Sequence, residues 1–199
     1  MANQIKKRNG MFENNHISFN DVRLSKQWFD EKVKALPRIT PNKVMQTNAG
    51  QNLTNLLLPG KMYMYFYMPK YKDELPYYDL VPLVLPFARD NTHFTGLNLH
   101  YLDYVTRFRL FKELLKITNS TNLNENTKLK LSWAMISSVA KLAPAEACVK
   151  QYLFSHVKSQ FLEIKPNDWA TAALLPTQRF VGATDQQVWA DSRRIARKK

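Results

Sequence analysis

The chain carries one cysteine, Cys148, in 199 residues, so no intrachain disulfide can form. Its neighbours Ala147 and Val149 are apolar and read as helix core, which makes Cys148 a structural thiol rather than an activated one. Glycine is scarce. Gly10, Gly50, Gly60, Gly96 and Gly182 stand far apart, so there is no Gly-rich phosphate loop and nucleotide hydrolysis is not expected. Long apolar runs are also missing. Leu56-Leu57-Leu58 and the Pro-interrupted stretch from Leu80 to Ala88 fall far short of the roughly 20 residues that cross a bilayer, so no membrane partner is expected. The basic start, Lys6-Lys7-Arg8, is not followed by the apolar segment of a secretory signal, and synthesis in the cytoplasm is the default expectation. The four histidines, His16, His93, His100 and His156, include no pair at i,i+4. His93 and His100, seven apart, would face opposite ways on one straight strand, so neither a metal site nor any cofactor is expected.

Acidic residues are in short supply as well. Against 29 Lys and Arg there are 16 Asp and Glu, a formal charge of +13. The surplus is uneven: residues 1–60 hold nine cations and four anions, residues 61–120 eight and six, and the last nineteen residues five and two. Basic ends around a more neutral centre suit contact with a polyanion. A composition that is 45% hydrophobic and 12% aromatic supports a packed core and excludes a wholly disordered basic tail.

Periodicity predicts an α+β fold. In residues 61–68, Met62, Met64, Phe66 and Met68 alternate with Tyr63, Tyr65 and Tyr67, the signature of a strand. Leu80 to Phe87 predicts a second strand, which Pro82 and Pro86 would confine to an edge or a bulge. His93 to His100 predicts a third. The expected sheet is a small three-stranded antiparallel one over about 61–100, packed by amphipathic helices and flanked by extended basic terminal arms. Ser25 to about Leu36 reads as a helix ended by Pro37, and residues 37–60 as a linker or long loop. Tyr101, Tyr104, Phe108, Phe111 and Leu115 predict one helix, and Leu129, Trp133, Ile136 and Ala140 another. Cys148, Tyr152 and Val157 suggest a third, Pro166 opens a short fourth to about Leu175, and Thr184 with Gln187 fits a capping box opening a basic terminal helix. The expected organisation is an arm over 1–21, one domain over 22–180 (helix and linker 22–60, sheet 61–100, helical part 101–180), and a basic helix or tail over 181–199.

The search for catalytic groups is thin. Glu163-Ile164-Lys165 has the acidic-x-Lys spacing that metal-dependent nucleases use to hold Mg²⁺, but Asp79 lies 84 residues away and the pattern is common by chance. Asp73, Glu74 and Asp79 read as turn formers and partners for Lys70 and Lys72. Basic residues interleaved with aromatics stand out more: Lys61, Tyr63, Tyr65, Tyr67, Lys70, Tyr71, Lys72, Tyr77 and Tyr78. Such a face either stacks bases while its lysines meet phosphates or simply packs as core.

Several segments resemble a known group: Pro59-Gly60-Lys61-Met62-Tyr63, Pro69 to Asp79, Pro82 to Pro86, Gly96 to Leu102, Cys148 to His156, Gln178-Arg179-Phe180 and Val188 to Ser192. Over about residues 22–195 the chain resembles virion-associated proteins of tailed phages, chiefly myoviruses, and is similar to sequences labelled DNA end protector in T-even-like phages. Residues 1–20 lie outside that likeness. The resemblance implies a non-catalytic virion protein, made in the host cytoplasm, that caps ends of packaged double-stranded DNA without reading sequence. Charge and position, rather than any family motif, nominate Lys6, Lys7, Arg8, Lys61, Lys70, Lys72, Arg193, Arg194, Arg197, Lys198 and Lys199 as DNA contacts. The competing expectation is architectural. In that reading a neck, tail or baseplate component of a multi-subunit assembly clasps other virion proteins through its arms, and its charge meets acidic protein surfaces.

Overall fold

Strict alternation of methionine and tyrosine demands two different environments on the two sides of one strand, and the fold supplies both. In the computed structural model, residues 41–47, 52–118, 121–139 and 143–198 are described. The elements run α1 (Pro41–Thr47), β1 (Leu53–Thr54), β2 (Met62–Met64), β3 (Tyr78–Asp79), β4 (Leu83–Arg89), β5 (His93–Asn98), a 3₁₀ turn (Leu99–Tyr101), α2 (Tyr104–Thr118), α3 (Glu125–Val139), α4 (Ala143–Glu146), β6 (Val149–Leu153), β7 (Phe161–Ile164), α5 (Trp169–Leu174), β8 (Phe180–Val181) and α6 (Asp185–Arg197). The expected helix at 25–36 and the arm at 1–21 lie outside the described residues.

The three expected strands are present and adjacent, β2-β4-β5, each pair antiparallel. The sheet is nevertheless six-stranded, in the order β1-β7-β2-β4-β5-β6, with β3 and β8 forming a separate pair. Three of the added strands come from stretches read otherwise. Residues 149–153, expected as helix, pair with β5, as Phe94↔Tyr152 and Leu97↔Val149. Residues 161–164, within the stretch read as helical, pair with β2 through Tyr63↔Glu163, and β1, within the expected linker, pairs with β7. The linker also contains α1, whose Val44 and Met45 are buried.

Pro82 and Pro86 do not place β4 at an edge, since β2 and β5 flank it. The alternative expectation, a bulge, is what occurs: the β4–β5 register shifts between Pro86 and Ala88, which accommodates a residue with no N–H to give. Gly96 faces Pro86 there. A Cβ on Gly96 would lie 2.4 Å from Val84 Cγ1 and 2.9 Å from the Leu85 carbonyl oxygen, contacts that require backbone movement. Gly96→Ala is expected to cost about 1–3 kcal/mol by overpacking, read as a lowered urea midpoint with unchanged slope.

Met62, Met64, Leu83, Leu85 and Leu97 pack under α2, α3 and α5 with Phe108, Phe111, Ile136 and Trp169. The opposite face holds Tyr63, Tyr65, Tyr67, Val84, Phe94, Tyr152 and Phe161. Phe154 and Val157, from the chain running from β6 to β7, pack against this face, and that chain is tied to the end of the tyrosine stretch by the Met68 N–H donating to His156 O at 3.1 Å and the Lys158 N–H to Phe66 O at 2.8 Å. The tyrosine strand is therefore core on both sides. Cys148 is buried as expected, but in the turn entering β6 rather than in a helix; its thiol donates to Ala145 O at 2.8 Å, and burial pushes its pKa up to about 12.

Candidate nucleic-acid interface

The terminal helix α6 begins with the expected capping box. The Gln187 N–H donates to Thr184 Oγ1, and the Thr184 N–H donates to Gln187 Oε1 at 2.8 Å. Val188, Trp189 and Ser192 turn inward, and the Trp189 indole N–H donates to His100 O at 2.8 Å. Arg193, Arg194, Arg197 and Lys198 are all exposed. They form two i,i+4 pairs of like charge, and Arg194 and Arg197 sit in the last turn, where the helix dipole favours cations. Two of them have weak surface partners, Arg193 with Asp103 at 3.4 Å and Arg194 with Asp191 at 2.9 Å. Solvated pairs of this kind yield readily to a polyanion.

Trp189 docks α6 on a buried polar cluster that sequence reasoning missed. Arg107 on α2 is fully buried, and its guanidinium donates to Leu102 O at 2.7 Å, Ala173 O at 3.0 Å and His100 O at 3.2 Å. Its plane lies 4.8 Å from the Tyr104 ring centre and 5.6 Å from that of Trp189. Beside it, Asp79 Oδ2 lies 2.7 Å from His100 Nδ1 and accepts from the Asn98 side-chain amide at 3.2 Å; Asp79 Oδ1 accepts from the Val81 and Arg179 N–H groups, each at 3.1 Å. Asp79 is thus a core residue, correcting its expected role as a turn former pairing with Lys70 or Lys72. Asp73 and Glu74 are exposed in the loop, as turn residues would be.

The remaining nominated cations divide. Lys6, Lys7, Arg8 and Lys199 lie outside the described residues. Lys70 and Lys72 are exposed on the loop between Pro69 and Pro76, with Lys70 Nζ 5.0 Å from the Tyr71 ring centre. Tyr71, 55% exposed, is accessible for stacking, whereas Tyr63 and Tyr65 are wholly buried and Tyr67 nearly so. Of the two readings of the β2 tyrosines, packing as core is the one that holds: those rings pack edge-on against Phe94, Tyr152 and Phe161, and burial pushes the Tyr63 phenol up to about 12.

Lys61 belongs to a different place, a cleft of about 480 Å³ where the entry to β2 meets the start of α3 and the β7–α5 turn. Its ammonium donates to both oxygens of Glu163 at 3.2 Å, and Lys165 donates to Glu163 Oε1 at 2.7 Å. Burial would raise the Glu163 pKa, but the hydrogen bonds and charges of Lys165 and Lys61 hold it below the ordinary carboxylate value. Lys128 on α3 joins the lining, along with Lys165 a cation that sequence reasoning did not nominate. The Glu163-Ile164-Lys165 pattern is accounted for by this clamp, and Asp79 is held in the separate cluster around His100. Among the described residues no group of three or more His, Cys, Asp or Glu is placed to hold a metal ion. No helix among them is long and apolar enough to cross a membrane.

Exposed cations at the end of an anchored helix, a lysine-lined cleft and an accessible Lys-Tyr-Lys loop are the basic features that stand out among the described residues. In a comparison with known proteins, residues 3–194 match the family described as phage T4 terminal DNA protecting protein. The chain belongs to that family. The match takes in Lys6, Lys7 and Arg8, so the N-terminal segment lies within the family's span, correcting the expectation that it falls outside the likeness. No curated protein and no solved structure matches the chain.

Proposed function

We propose that this member of the terminal DNA protecting family acts in the phage particle by binding the ends of packaged double-stranded DNA, without reading sequence and without catalysis. The family's description supports DNA ends as the target. The observation that carries the mechanism is α6, whose buried Trp189 is fixed on the His100 carbonyl while Arg193, Arg194, Arg197 and Lys198 face solvent. A rigid anchor spares the cations' helix an ordering cost on binding, and each neutralised phosphate releases counterions into the medium. Lys70, Tyr71 and Lys72 add a loop on which a terminal base pair can stack, worth about 1–3 kcal/mol per base by truncation. Lys6, Lys7, Arg8 and Lys199 are assigned to the same role on charge.

Exonuclease protection tests this reading. Linear blunt duplex incubated with the full chain is expected to resist digestion from its ends, with protection falling steeply between about 50 and about 200 mM salt. Binding that equals a generic polycation of the same charge, with digestion unimpeded, would favour the architectural alternative, in which the basic surfaces meet acidic virion proteins.

A further inference from the structure

We infer that the outward face of the β3–β8 pair, formed by Tyr78, Val181 and Arg179, is the seat on which the terminal base pair of a duplex lodges. The inference rests on the reading of this chain as a protector of DNA ends and names the surface that receives the end.

The strand register separates the two faces of the pair. Asp79 lies opposite Phe180, and Tyr78 opposite Val181. Asp79 is buried and the Phe180 ring packs 5.2 Å from the Tyr101 ring centre, so that face looks inward. Alternation turns Tyr78 and Val181 the other way, and Val181 is 40% exposed. The ladder continues one step further, where the Leu80 N–H donates to Arg179 O at 2.9 Å. Arg179, two residues before Val181, therefore shares its face. Its backbone is held on the other side as well, because its own N–H donates to Asp79 Oδ1 at 3.1 Å. Its neighbours are used for packing: the Gln178 amide donates to Asp185 Oδ2 at 2.7 Å, and Phe180 packs against the core. The Arg179 side chain is exposed, and among the described residues its guanidinium has no hydrogen-bond or ion-pair partner.

The same pair joins the loop and the helix assigned above to DNA. β3 is entered from the loop that carries Lys70, Tyr71 and Lys72, and β8 leaves into α6. The junction is close: Gly182 follows β8 at φ +88°, and a Cβ there would lie 2.6 Å from Pro76 O at the end of the loop. Tyr77, one residue before β3, lies beside Asp191 of α6, which pairs with Arg194 at 2.9 Å. The outward face thus continues the surface that Tyr71 begins and runs on towards the helix.

Chemistry selects the occupant. The interior of a duplex offers phosphates and groove edges, on which exposed apolar side chains gain little. An end alone offers the bare face of a base pair, an apolar plate with phosphates at its rim. Tyr78 and Val181 match the plate, and Arg179 matches the rim. Neither stacking nor a guanidinium on phosphate reads the base, so the seat carries no sequence preference.

The test compares a short blunt duplex with a dumbbell of the same sequence whose ends are closed by thymidine loops. Each binds the full chain in a fluorescence-anisotropy titration across a salt series. The wild-type chain is expected to bind the blunt duplex about fivefold tighter or more, the size of one weak stack. Val181→Asp, which sets a carboxylate in the seat, is expected to bring that ratio to one, whatever happens to overall affinity. Val181→Ser is expected to lower the ratio and carries the same test should Val181→Asp fail to fold. Arg179→Gln is expected to weaken blunt-duplex binding about five- to tenfold at about 0.1 M salt and to flatten the salt slope by about 0.9, the share of one phosphate. On the dumbbell it is expected to change neither, and Lys130→Gln, an exposed cation on α3, is expected to change neither on either DNA. A wild-type preference for the blunt end that survives the Val181 and Arg179 replacements overturns the seat and leaves end protection standing. An Arg179→Gln effect that Lys130→Gln reproduces does the same. Equal wild-type binding of blunt duplex and dumbbell, or binding of neither, removes end protection and the seat with it.

Discussion

Replacing Arg193, Arg194, Arg197 and Lys198 together by glutamine is expected to weaken duplex binding by about 10³-fold at about 0.1 M salt and to flatten the slope of log affinity against log salt by about 3 to 4. The size follows from counterion release, because each phosphate contact contributes about 0.9 to that slope. The fold should survive the change. All four side chains are exposed, and α6 is fixed through Val188, Trp189 and Ser192 on its other side. The ion pairs that vanish, Arg193 with Asp103 and Arg194 with Asp191, are solvated contacts worth about 0–1 kcal/mol each. A parallel variant, Lys70→Gln with Lys72→Gln, touches a loop whose two lysines are offset by Asp73 and Glu74, and can change the slope by at most about 1.8. Filter binding across a salt series measures both. A quadruple variant with the wild-type slope would remove α6 from the DNA interface and turn attention to acidic protein partners.

The features visible in the sequence are those written in local spacing. Alternation at residues 61–68 identified a strand, of which Met62–Met64 pairs in the sheet, and separated its two faces, and the Thr184–Gln187 spacing gave the start of α6 together with both legs of its cap. The missed strands show where spacing fails. Cys148 and Tyr152 are four apart, a separation that puts two residues on one face of a helix and equally on one face of a strand. Lys150 between them hides the strand pattern, because its ammonium rests 4.2 Å from the Tyr101 ring centre and its stem is covered. β7 is only four residues long, with Phe161, Leu162 and Ile164 all buried, so no alternation survives to be read. The tyrosine face looked available because a strand's own sequence does not record what lies over it; here the β6–β7 chain, about 90 residues further on, does. The cleft is a tertiary product in the same sense. Lys61 meets Glu163 across 102 residues, and only the β2–β7 register brings them together.

The second large effect is expected from Asp79, which the structure makes the acceptor at the centre of the core polar cluster. Asp79→Ala is expected to destabilise the protein by about 3–5 kcal/mol, the usual cost of removing one member of a buried charged network. Four donors lose their acceptor at once: the His100 ring, the Asn98 amide, and the Val81 and Arg179 N–H groups. The buried Arg107 also loses one of the negative groups that favour its charge, alongside Asp185 and Asp103. Burial is the largest influence on His100 and, with Arg107 adding to it against the pull of Asp79, holds its pKa below the ordinary 6.5. The ring is accordingly neutral in the folded protein at neutral pH, with Nδ1–H donating to Asp79 and Nε2 facing the Thr177 hydroxyl at 3.3 Å. Burial would raise the Asp79 pKa, but His100 and the backbone donors hold it below the ordinary 3.8. Both depressions act in the same direction. As pH falls through about 6.5 the unfolded chain takes up a proton at His100 that the folded chain refuses, and below about 3.8 the same happens at Asp79, so stability is fullest above 6.5 and falls in two acid steps. Urea unfolding at a series of pH values measures this, and His100→Gln is expected to abolish the upper step while leaving the lower. An Asp79→Ala loss under about 1 kcal/mol, or an upper step that persists without His100, would show that the cluster is not what holds this end of the fold. Because Trp189 hangs on the His100 carbonyl and packs on Arg107, the same loss loosens α6, so Asp79→Ala should weaken DNA binding at temperatures where the fold survives, although Asp79 itself is buried too deeply to meet a phosphate.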